Sequence, residues 1–460
     1  MSIRENFRDE NTCDNGKNLP NRRNNPSDNG PVPTYVELIT LARAAGKDKN
    51  PDIKALIEYA VETGDPRELR DLAEYLNCCV FEAMLNPDPF ESSISPEEAG
   101  GELELGLVRN RDCDIIPFGL RLNEIIRNVL LFGLTGSGKT TTAKKILSSL
   151  LSTTVKMMVF DSKGDFLNFP SLFPGVEIWK FKLPSPDFRW NPLEPSLGNW
   201  KKHIDSFVPV FADSLGFYGG QTTECFIYEM LLQLGHKYNV HRGVFPSMLD
   251  LLDFLKKKEL DQEFKRGSEI YRSFERFLNR VKSMVFAFEE TFNCSTGYDL
   301  DQFLNHHVIF DITDLKEDAR SFFVELFIHQ AIRWRMEKRI TGGKILNLVS
   351  FDEAKNFLPA YREEKGTMAN MSKLIALSRE FGFGYLVSEC DPSLLSHSIK
   401  AESCVRLCFN LTEGKDIAAA ARSLALNPEQ TKEIQALNTG QAIVRLAGRI
   451  DEPFVIQVTK

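Results

Sequence analysis

Residues 133–140 have the types and spacing of a phosphate-binding loop, G-x-x-x-x-G-K-[ST]. An apolar run precedes the loop and a helical pattern follows it, so glycine-rich backbone and a helix N-terminus would cradle a phosphate. Lys139 would reach the β- and γ-phosphates, and Thr140 would hold Mg²⁺. This context disfavours the alternative of a chance glycine-rich turn. The predicted nucleotide-binding residues are Gly133, Leu134, Thr135, Gly136, Ser137, Gly138, Lys139, Thr140 and Thr141.

Two adjacent carboxylates follow a second buried apolar run, at Asp352 and Glu353. Asp352 stands where an aspartate would support Mg²⁺, through water. Glu353 could accept a proton from an attacking water as a general base. The alternative is an acidic pair that only favours a helix N-terminus. Together with the loop at 133–140, the pair predicts an enzyme that hydrolyses ATP with Mg²⁺, and it disfavours a kinase or a GTPase.

Asp161 ends a third apolar run, just after the helix that should follow the phosphate loop. In a parallel sheet it would lie near the phosphates, where it could orient a water or the water ligands of Mg²⁺. The alternative is a turn aspartate before Lys163 and Gly164. The residue types leave both interpretations open.

The segments that must position these residues are apolar runs typical of strands, and they alternate along the chain with helical stretches. Helical stretches lie between most of the apolar runs, a pattern typical of a mainly parallel α/β sheet with helices on both faces. Residues 199–300 interrupt the alternation and predict a mostly helical insertion. The predicted strands are 129–132, 155–160, 308–312, 345–351, 384–387, 405–411 and 442–446.

The N-terminal part differs in composition. Residues 1–33 are rich in Asn and polar side chains and predict a disordered arm. Residues 34–85 have helical periodicity and predict a small helical module, and the Pro- and Ser-rich residues 86–103 predict a linker. Residues 104–460 are then the ATPase domain. Residues 1–110 hold 12 basic and 21 acidic side chains, so the acidity of the chain belongs to this part.

The whole chain has 460 residues, a formal net charge of −8, 42% hydrophobic and 26% charged residues, which is typical of a globular protein. No apolar run reaches the 18 residues of a membrane helix, and the polar start is unlike a signal peptide. The nine cysteines form no CxxC pair, which disfavours a disulfide framework. We therefore expect a cytoplasmic protein without a membrane segment.

These motifs, in this order, resemble the HerA/FtsK superfamily of P-loop motor ATPases, and more narrowly its HerA-type helicase and conjugative coupling-protein branch. The resemblance covers residues 105–460. The segments that carry it are LGLV at 105–108, PFGL at 117–120, RNVLLFG at 127–133, FDSKGD at 160–165, RWNPL at 189–193, SFDEAKNFLP at 350–359 and SREFGFG at 378–384.

The resemblance implies a RecA-like domain that forms a hexameric ring with double-stranded DNA in its channel. It also implies an arginine that acts on the γ-phosphate from a neighbouring subunit, for which Arg127 and Arg379 occupy arginine positions. Such a charge would stabilise the transferring phosphoryl group. The alternatives are a surface charge at a helix end for Arg379 and a stem covering apolar surface for Arg127.

Two features depart from the family pattern. Glu389 stands where the family usually has Gln, and an ionised carboxylate cannot donate a hydrogen bond to a phosphate. The N-terminal region predicts helices instead of the β-barrel of HerA proteins or the membrane helices of coupling proteins. We therefore expect a stand-alone HerA-like ATPase that docks an effector, such as a nuclease, through this module.

The loop after Glu353 offers basic side chains that could contact DNA phosphates in a ring, namely Arg362, Lys365 and Lys373. A merely solvated loop is the alternative. Three functions remain open from the sequence. They are a DNA translocase or helicase, an ATPase that moves or assembles protein, and a nucleotide-regulated scaffold for an effector.

Overall fold

A computed structural model gives the fold of most of the chain. It describes residues 31–45, 47–48, 51–85, 89–90, 94–109, 115–195, 199–217, 221–261, 264–356, 358–361 and 370–459. The chain divides into two compact units, Met1–Ser93 with Asn110–Asp114, and Ile94–Arg109 with Ile115–Lys460. The predicted disordered arm lies almost entirely outside the described residues.

The first unit contains three helices, α1 (Tyr35–Ala44), α2 (Pro51–Thr63) and α3 (Pro66–Leu85). Helix α1 begins with a capping box, in which the Thr34 hydroxyl accepts from the Glu37 N–H and the Glu37 carboxylate accepts from the Thr34 N–H. The helices pack their apolar faces on a core of Leu38, Ala42, Ile53, Ile57, Ala60, Leu69, Leu72, Ala73 and Leu76.

The second unit is built on one sheet, which has eleven strands among the described residues, in the order β2-β1-β11-β10-β9-β3-β8-β7-β4-β6-β5. The strands are β1 (Leu103–Arg109), β2 (Ile115–Leu120), β3 (Val129–Phe132), β4 (Lys156–Asp161), β5 (Ile178–Lys182), β6 (His307–Asp311), β7 (Asn347–Asp352), β8 (Phe383–Glu389), β9 (Val405–Cys408), β10 (Gln441–Leu446) and β11 (Ile450–Val458).

The half of the sheet from β9 to β5 is parallel, and the other half is antiparallel. In the parallel half, Phe132 pairs with Glu389, Asp352 with Ser388, and Asp161 with Asp311. The carboxyl ends of these strands therefore meet at one edge, which is where ligands bind in open α/β sheets. Asp161, Asp311, Asp352 and Glu389, which end β4, β6, β7 and β8, all lie at this edge.

Helices cover both faces of the sheet, because successive strand residues point to opposite sides. Val159 packs in the core that contains Ile146 and Leu147 of α6 (Lys139–Leu150). The next residue, Phe160, packs its ring 5.7 Å from that of Phe323 on α12 (Glu317–Lys338). Short helices α4 (Pro96–Ala99) and α5 (Leu122–Ile125) flank β1 and β2 in the chain.

The predicted helical insertion lies between β5 and β6. Its helices are α7 (Trp200–Ser214), α8 (Gln221–Tyr238), α9 (Met248–Leu260), α10 (Glu269–Phe288) and α11 (Leu300–Asn305). The remaining helices of at least four residues in the described part are α13 (Asn370–Ser378), α14 (His397–Glu402), α15 (Gly414–Leu424) and α16 (Pro428–Glu433). No helix in the described ranges is long and apolar enough to cross a bilayer.

The predicted fold class, a mainly parallel RecA-like sheet with helices and a helical N-terminal segment, is confirmed. The seven predicted strands are all present, within a few residues of their predicted ends. Strands β1, β2, β5 and β11 were not predicted. Charged residues interrupt β1, β5 and β11, as in the IWKFK of β5, and Pro117 and Gly119 interrupt β2. These strands therefore lack the continuous apolar run of a buried parallel strand.

Candidate active site: the P-loop and the carboxylates at the strand ends

The predicted phosphate loop connects β3 to α6 through glycines with positive φ, at 153° for Gly133 and 123° for Gly138. A Cβ atom on Gly133 would lie 2.7 Å from both the Phe409 Cβ and the Ser137 Oγ. Since L side chains rarely adopt these angles and the space is filled, only glycine suits this turn. The loop ends at the N-terminus of α6, the end of a helix that attracts phosphate.

The Lys139 side chain is buried within its own loop. Its ammonium donates to the carbonyl oxygens of Gly133 and Leu134, at 2.6 and 2.9 Å. It also lies 3.4 Å from the Sγ of Cys390, a residue to which the sequence analysis assigned no role. The neighbouring Thr140 hydroxyl donates to the Asp165 carboxylate at 3.2 Å. The loop thus presents a cation and a hydroxyl side by side, beside the helix N-terminus.

Asp352 ends β7, and Glu353 follows it with a φ of 56°, in the left-handed region. The Glu353 N–H donates to the Ser388 carbonyl oxygen and to the Asp352 carboxylate, both at 3.1 Å. These bonds hold a backbone conformation that is unfavourable for a non-glycine residue. The two carboxylates consequently converge instead of pointing to opposite sides, as successive strand residues would.

A lysine bridges this carboxylate pair. The Lys163 ammonium lies 2.8 Å from the Asp352 carboxylate and 3.3 Å from the Glu353 carboxylate. Burial lowers the pKa of Lys163, but the hydrogen bonds and charges of Asp352 and Glu353 outweigh burial and hold that pKa above its usual value. Lys163 belongs to the FDSKGD segment, and no contact with Asp352 or Glu353 was predicted for it. Its contact follows from β4 lying beside β7, which the sequence does not specify.

Asp161 organises the loop that carries Lys163. Its carboxylate accepts hydrogen bonds from the backbone N–H groups of Lys163, Gly164, Asp165 and Phe166, at 2.8–3.3 Å. Burial raises the pKa of Asp161, and the four N–H groups lower it in part. Asp161 does lie at the edge of the sheet that carries the phosphate loop. Its contacts are those of a turn aspartate, and a role in orienting water stays a prediction.

Glu389, at the end of β8, is completely buried between the phosphate loop and the Asp352–Glu353 turn. Its carboxylate accepts from the backbone N–H groups of Lys355, Cys390 and Asp391, at 2.9–3.0 Å. Burial raises the pKa of Glu389, while these bonds and the Lys355 charge lower it in part. Its backbone carbonyl also accepts from the Gly133 N–H at 3.2 Å. Glu389 therefore links the phosphate loop to the turn that follows Asp352 and Glu353.

The two predicted arginines lie at the opposite edge of the sheet. Arg127 precedes β3 by two residues and is half-buried, and Arg379 precedes β8 by four and is exposed. Since β8 spans about 20 Å along its length, neither arginine belongs to the phosphate loop of its own subunit. Among the predicted DNA contacts, Lys373 is exposed on α13, and Arg362 and Lys365 lie outside the described residues.

The residues at the strand ends also suit Mg²⁺. Thr140, Asp165 and Asp352 line a cavity of about 20 Å³, together with Lys163. Hydroxyl and carboxylate oxygens are the ligands that Mg²⁺ prefers, and this volume accommodates one particle of the size of a water molecule. The donor set therefore fits the predicted ion, with Thr140 and Asp352 as its holders.

The phosphate loop, the convergent carboxylates and the mostly parallel sheet define a P-loop ATPase of RecA-like fold. Residues 103–331 match the family "Helicase HerA, central domain". A DNA double-strand break repair helicase HerA from Sulfurisphaera tokodaii is 20% identical over 384 residues, 78% of this chain and 70% of that protein. The chain is a HerA/FtsK-like P-loop ATPase, and it is an ATP hydrolase.

Two solved structures show the same fold. VirB4 of Thermoanaerobacter pseudethanolicus superposes with a TM-score of 0.59 at 15% identity, covering 80% of this chain and 98% of that chain. The plasmid coupling protein TrwB, in complex with ADP and Mg²⁺, superposes with a TM-score of 0.55 at 13% identity, covering 74% of this chain and 87% of that chain. The predicted resemblance is confirmed at the level of the superfamily.

Proposed function

We propose that this protein is an ATP-driven DNA translocase or helicase that works as a homo-oligomeric ring, a hexamer, on double-stranded DNA. The observation that carries the proposal is the convergence of Lys139, Thr140, Asp352 and Glu353 at one edge of the sheet. The sequence relative named as a DNA repair helicase supports DNA as the substrate class.

In the proposed reaction, the backbone of 133–141 and the Lys139 ammonium bind the phosphates of ATP. Thr140 and Asp352 hold Mg²⁺, which supplies positive charge to the phosphate oxygens when bound. The Glu353 carboxylate accepts the proton of the attacking water. The Lys163 ammonium, 3.3 Å away, holds this carboxylate in place. The Lys139 ammonium has three donors and gives two of them to the carbonyl oxygens of its own loop, so the third can serve a phosphate.

The position of the arginines supports a ring. An arginine at the sheet edge opposite the phosphate loop can serve only a phosphate bound by another subunit. In a closed ring each subunit presents one surface to the next, so one edge meets its neighbour's other edge. We infer that Arg379, which is exposed, acts in this way, and Arg127, which is half-buried, is the second candidate.

A second candidate function is an ATPase that moves or assembles protein with little dependence on DNA. The fold likeness to VirB4 and TrwB, at 15% and 13% identity, is common to both functions and does not separate them. A nucleotide-regulated scaffold, with an effector such as a nuclease docked on the acidic N-terminal helices, would differ from both in its slow turnover.

Steady-state ATP hydrolysis, measured with and without double-stranded DNA, tests the proposal. We expect DNA to stimulate wild-type turnover. We expect Glu353→Gln to bind ATP but to hydrolyse it at least about 10²-fold more slowly, the scale of a lost general base. Lys139→Ala should lose nucleotide binding. Turnover that DNA does not change would favour the protein-moving function, and normal hydrolysis by Glu353→Gln would refute the assignment of the base.

A further inference from the structure

Lys163 occupies the position from which a cation can reach both reacting carboxylates. Its ammonium is the shared partner of Asp352 and Glu353, at 2.8 and 3.3 Å. Its side chain is only 36% exposed, and those of Asp352 and Glu353 are 23% and 34% exposed. A partly buried ion pair of this kind is screened less by solvent than a surface pair.

The backbone on both sides fixes this arrangement. The turn that carries Lys163 is tied to Asp161 by four N–H bonds, and the turn that carries Glu353 is tied to Ser388. The positive φ of Glu353 brings its carboxylate beside that of Asp352. Two such adjacent negative charges repel each other unless a cation neutralises them.

In the proposed site, Mg²⁺ would need the same Asp352 carboxylate, either directly or through a water ligand. Asp352, Thr140 and Lys163 line one small cavity, so a metal ion held by Asp352 and Thr140 would stand next to the Lys163 ammonium. Two cations that share one carboxylate repel each other strongly at such distances. Lys163 and Mg²⁺ therefore compete for Asp352.

We propose that Lys163 is a positioning residue whose ammonium occupies the place beside Asp352 that a metal ion would take. It holds Asp352 and Glu353 together, gives up Asp352 when Mg²⁺ and nucleotide bind, and keeps its contact with Glu353. The inference rests on the proposed binding of Mg²⁺ and nucleotide at this site, and it adds a built-in competitor that sets the affinity for the metal-bound nucleotide.

Equilibrium titration with a fluorescent ADP analogue, with Mg²⁺ and with EDTA, tests this inference without measuring turnover. We expect Lys163→Met to bind the analogue at least about fivefold more tightly in Mg²⁺, the lower end of usual coupling between two bound species. In EDTA its affinity should stay within about twofold of wild type, because no metal then competes with the lysine. Lys163→Arg retains the charge and should restore the wild-type dependence on Mg²⁺.

Lys182→Met is the matched control, since it removes another lysine that pairs with one carboxylate, Asp314, at 2.9 Å and outside the site. It should leave both affinities unchanged. Unchanged or weaker binding of Lys163→Met in Mg²⁺ would overturn the inference. If Lys163→Met does not fold, as judged by circular dichroism, the polar Lys163→Gln replaces it with the same expectation. Wild-type protein that binds no nucleotide would instead refute the proposed function itself.

Discussion

Glu389 is a buried carboxylate with a backbone donor at each of its two oxygens. One oxygen accepts from the Cys390 and Asp391 N–H groups, and the other accepts from the Lys355 N–H. All three partners donate, so the position requires two acceptors. A glutamine has one acceptor oxygen and an NH₂ group that only donates. Glu389 thus connects the turn at Lys355 with the turn at Cys390 and Asp391. A glutamine, with one acceptor oxygen, does not suit this arrangement.

We expect Glu389→Gln to lower the free energy of unfolding by about 1–3 kcal/mol, the cost of a buried donor left without its acceptor. The Lys355 N–H is the donor that would lose its partner, because the other oxygen serves two N–H groups. Urea denaturation monitored by circular dichroism measures the change.

Asp314→Asn is the control for Glu389→Gln, because Asp314 pairs with Lys182 at the exposed surface. Its effect should be under about 1 kcal/mol, as for other exposed ion pairs. A Glu389→Gln protein that is as stable as wild type would show that the glutamate is not needed as a double acceptor.

At the scale of elements, α7 of the helical insertion and α12, which follows β6, each bury a histidine. His203 and His329 are buried, and the His203 ring stacks on Phe207 at 4.9 Å between centroids. Burial lowers the pKa of each histidine to about 3, with the nearby charge of Arg333 adding to the effect. Both imidazoles are therefore neutral in the folded protein at neutral pH.

These histidines should make the fold sensitive to acid. An unfolded histidine binds a proton below about pH 6.5, whereas the folded one does so only near its pKa of about 3. Protonation thus favours the unfolded chain, and the free energy of unfolding should fall as the pH drops from about 6.5 towards 3. One such group contributes a slope of up to about 1.4 kcal/mol per pH unit.

His203→Phe tests this account, because the new ring can stack on Phe207 as the imidazole does but cannot bind a proton. We expect stability at pH 7 to stay close to that of wild type, and the slope between pH 6 and pH 4 to decrease. His236→Phe, at an exposed position of α8, should leave the slope unchanged. An undiminished slope in His203→Phe would contradict the assigned pKa.

At the scale of the whole molecule, the site is incomplete in one chain if an arginine must reach the γ-phosphate. Arg379 and the phosphate loop lie at opposite edges of the sheet, so the proposed active site spans two subunits. Loss of such an arginine typically reduces turnover about 10³-fold or more. The proposal can therefore be tested by mixing subunits.

We expect Arg379→Ala and Lys139→Ala to be inactive when measured separately and to regain activity when they are mixed. A mixed ring contains interfaces at which an intact loop meets an intact arginine, about a quarter of all interfaces for random mixing. ATP turnover of the mixture measures this, with light scattering to establish that rings form. Arg422→Ala, on exposed α15 surface, mixed with Lys139→Ala is the control.

Activity of the Arg379→Ala and Lys139→Ala mixture that does not exceed the sum of its parts would exclude Arg379 as the shared residue. The same mixing experiment with Arg127→Ala would then test the second candidate. Full activity of Arg379→Ala alone would show that the residue has no part in hydrolysis.

Much of this protein was determined by local sequence. The spacing of glycines and Lys139 specifies the phosphate loop, because positive φ angles and a helix start are properties of a few consecutive residues. Continuous apolar runs specify the buried parallel strands, since both of their faces are covered. These signals were sufficient for the fold class, and the loop and carboxylates that they predict meet at one edge of the sheet.

The tertiary structure determined which residues from distant parts of the chain lie next to each other. The contact of Lys163 with Asp352 and Glu353 depends on β4 and β7 being neighbours, although almost 190 residues separate them in the chain. The role of Glu389 depends in the same way on two turns, one at Lys355 and one at Cys390 and Asp391, that meet at its side chain. Strand order and strand length likewise placed Arg127 and Arg379 away from the loop. Local sequence determines which conformations a segment favours, whereas distances between segments follow from how the whole chain buries its apolar surface.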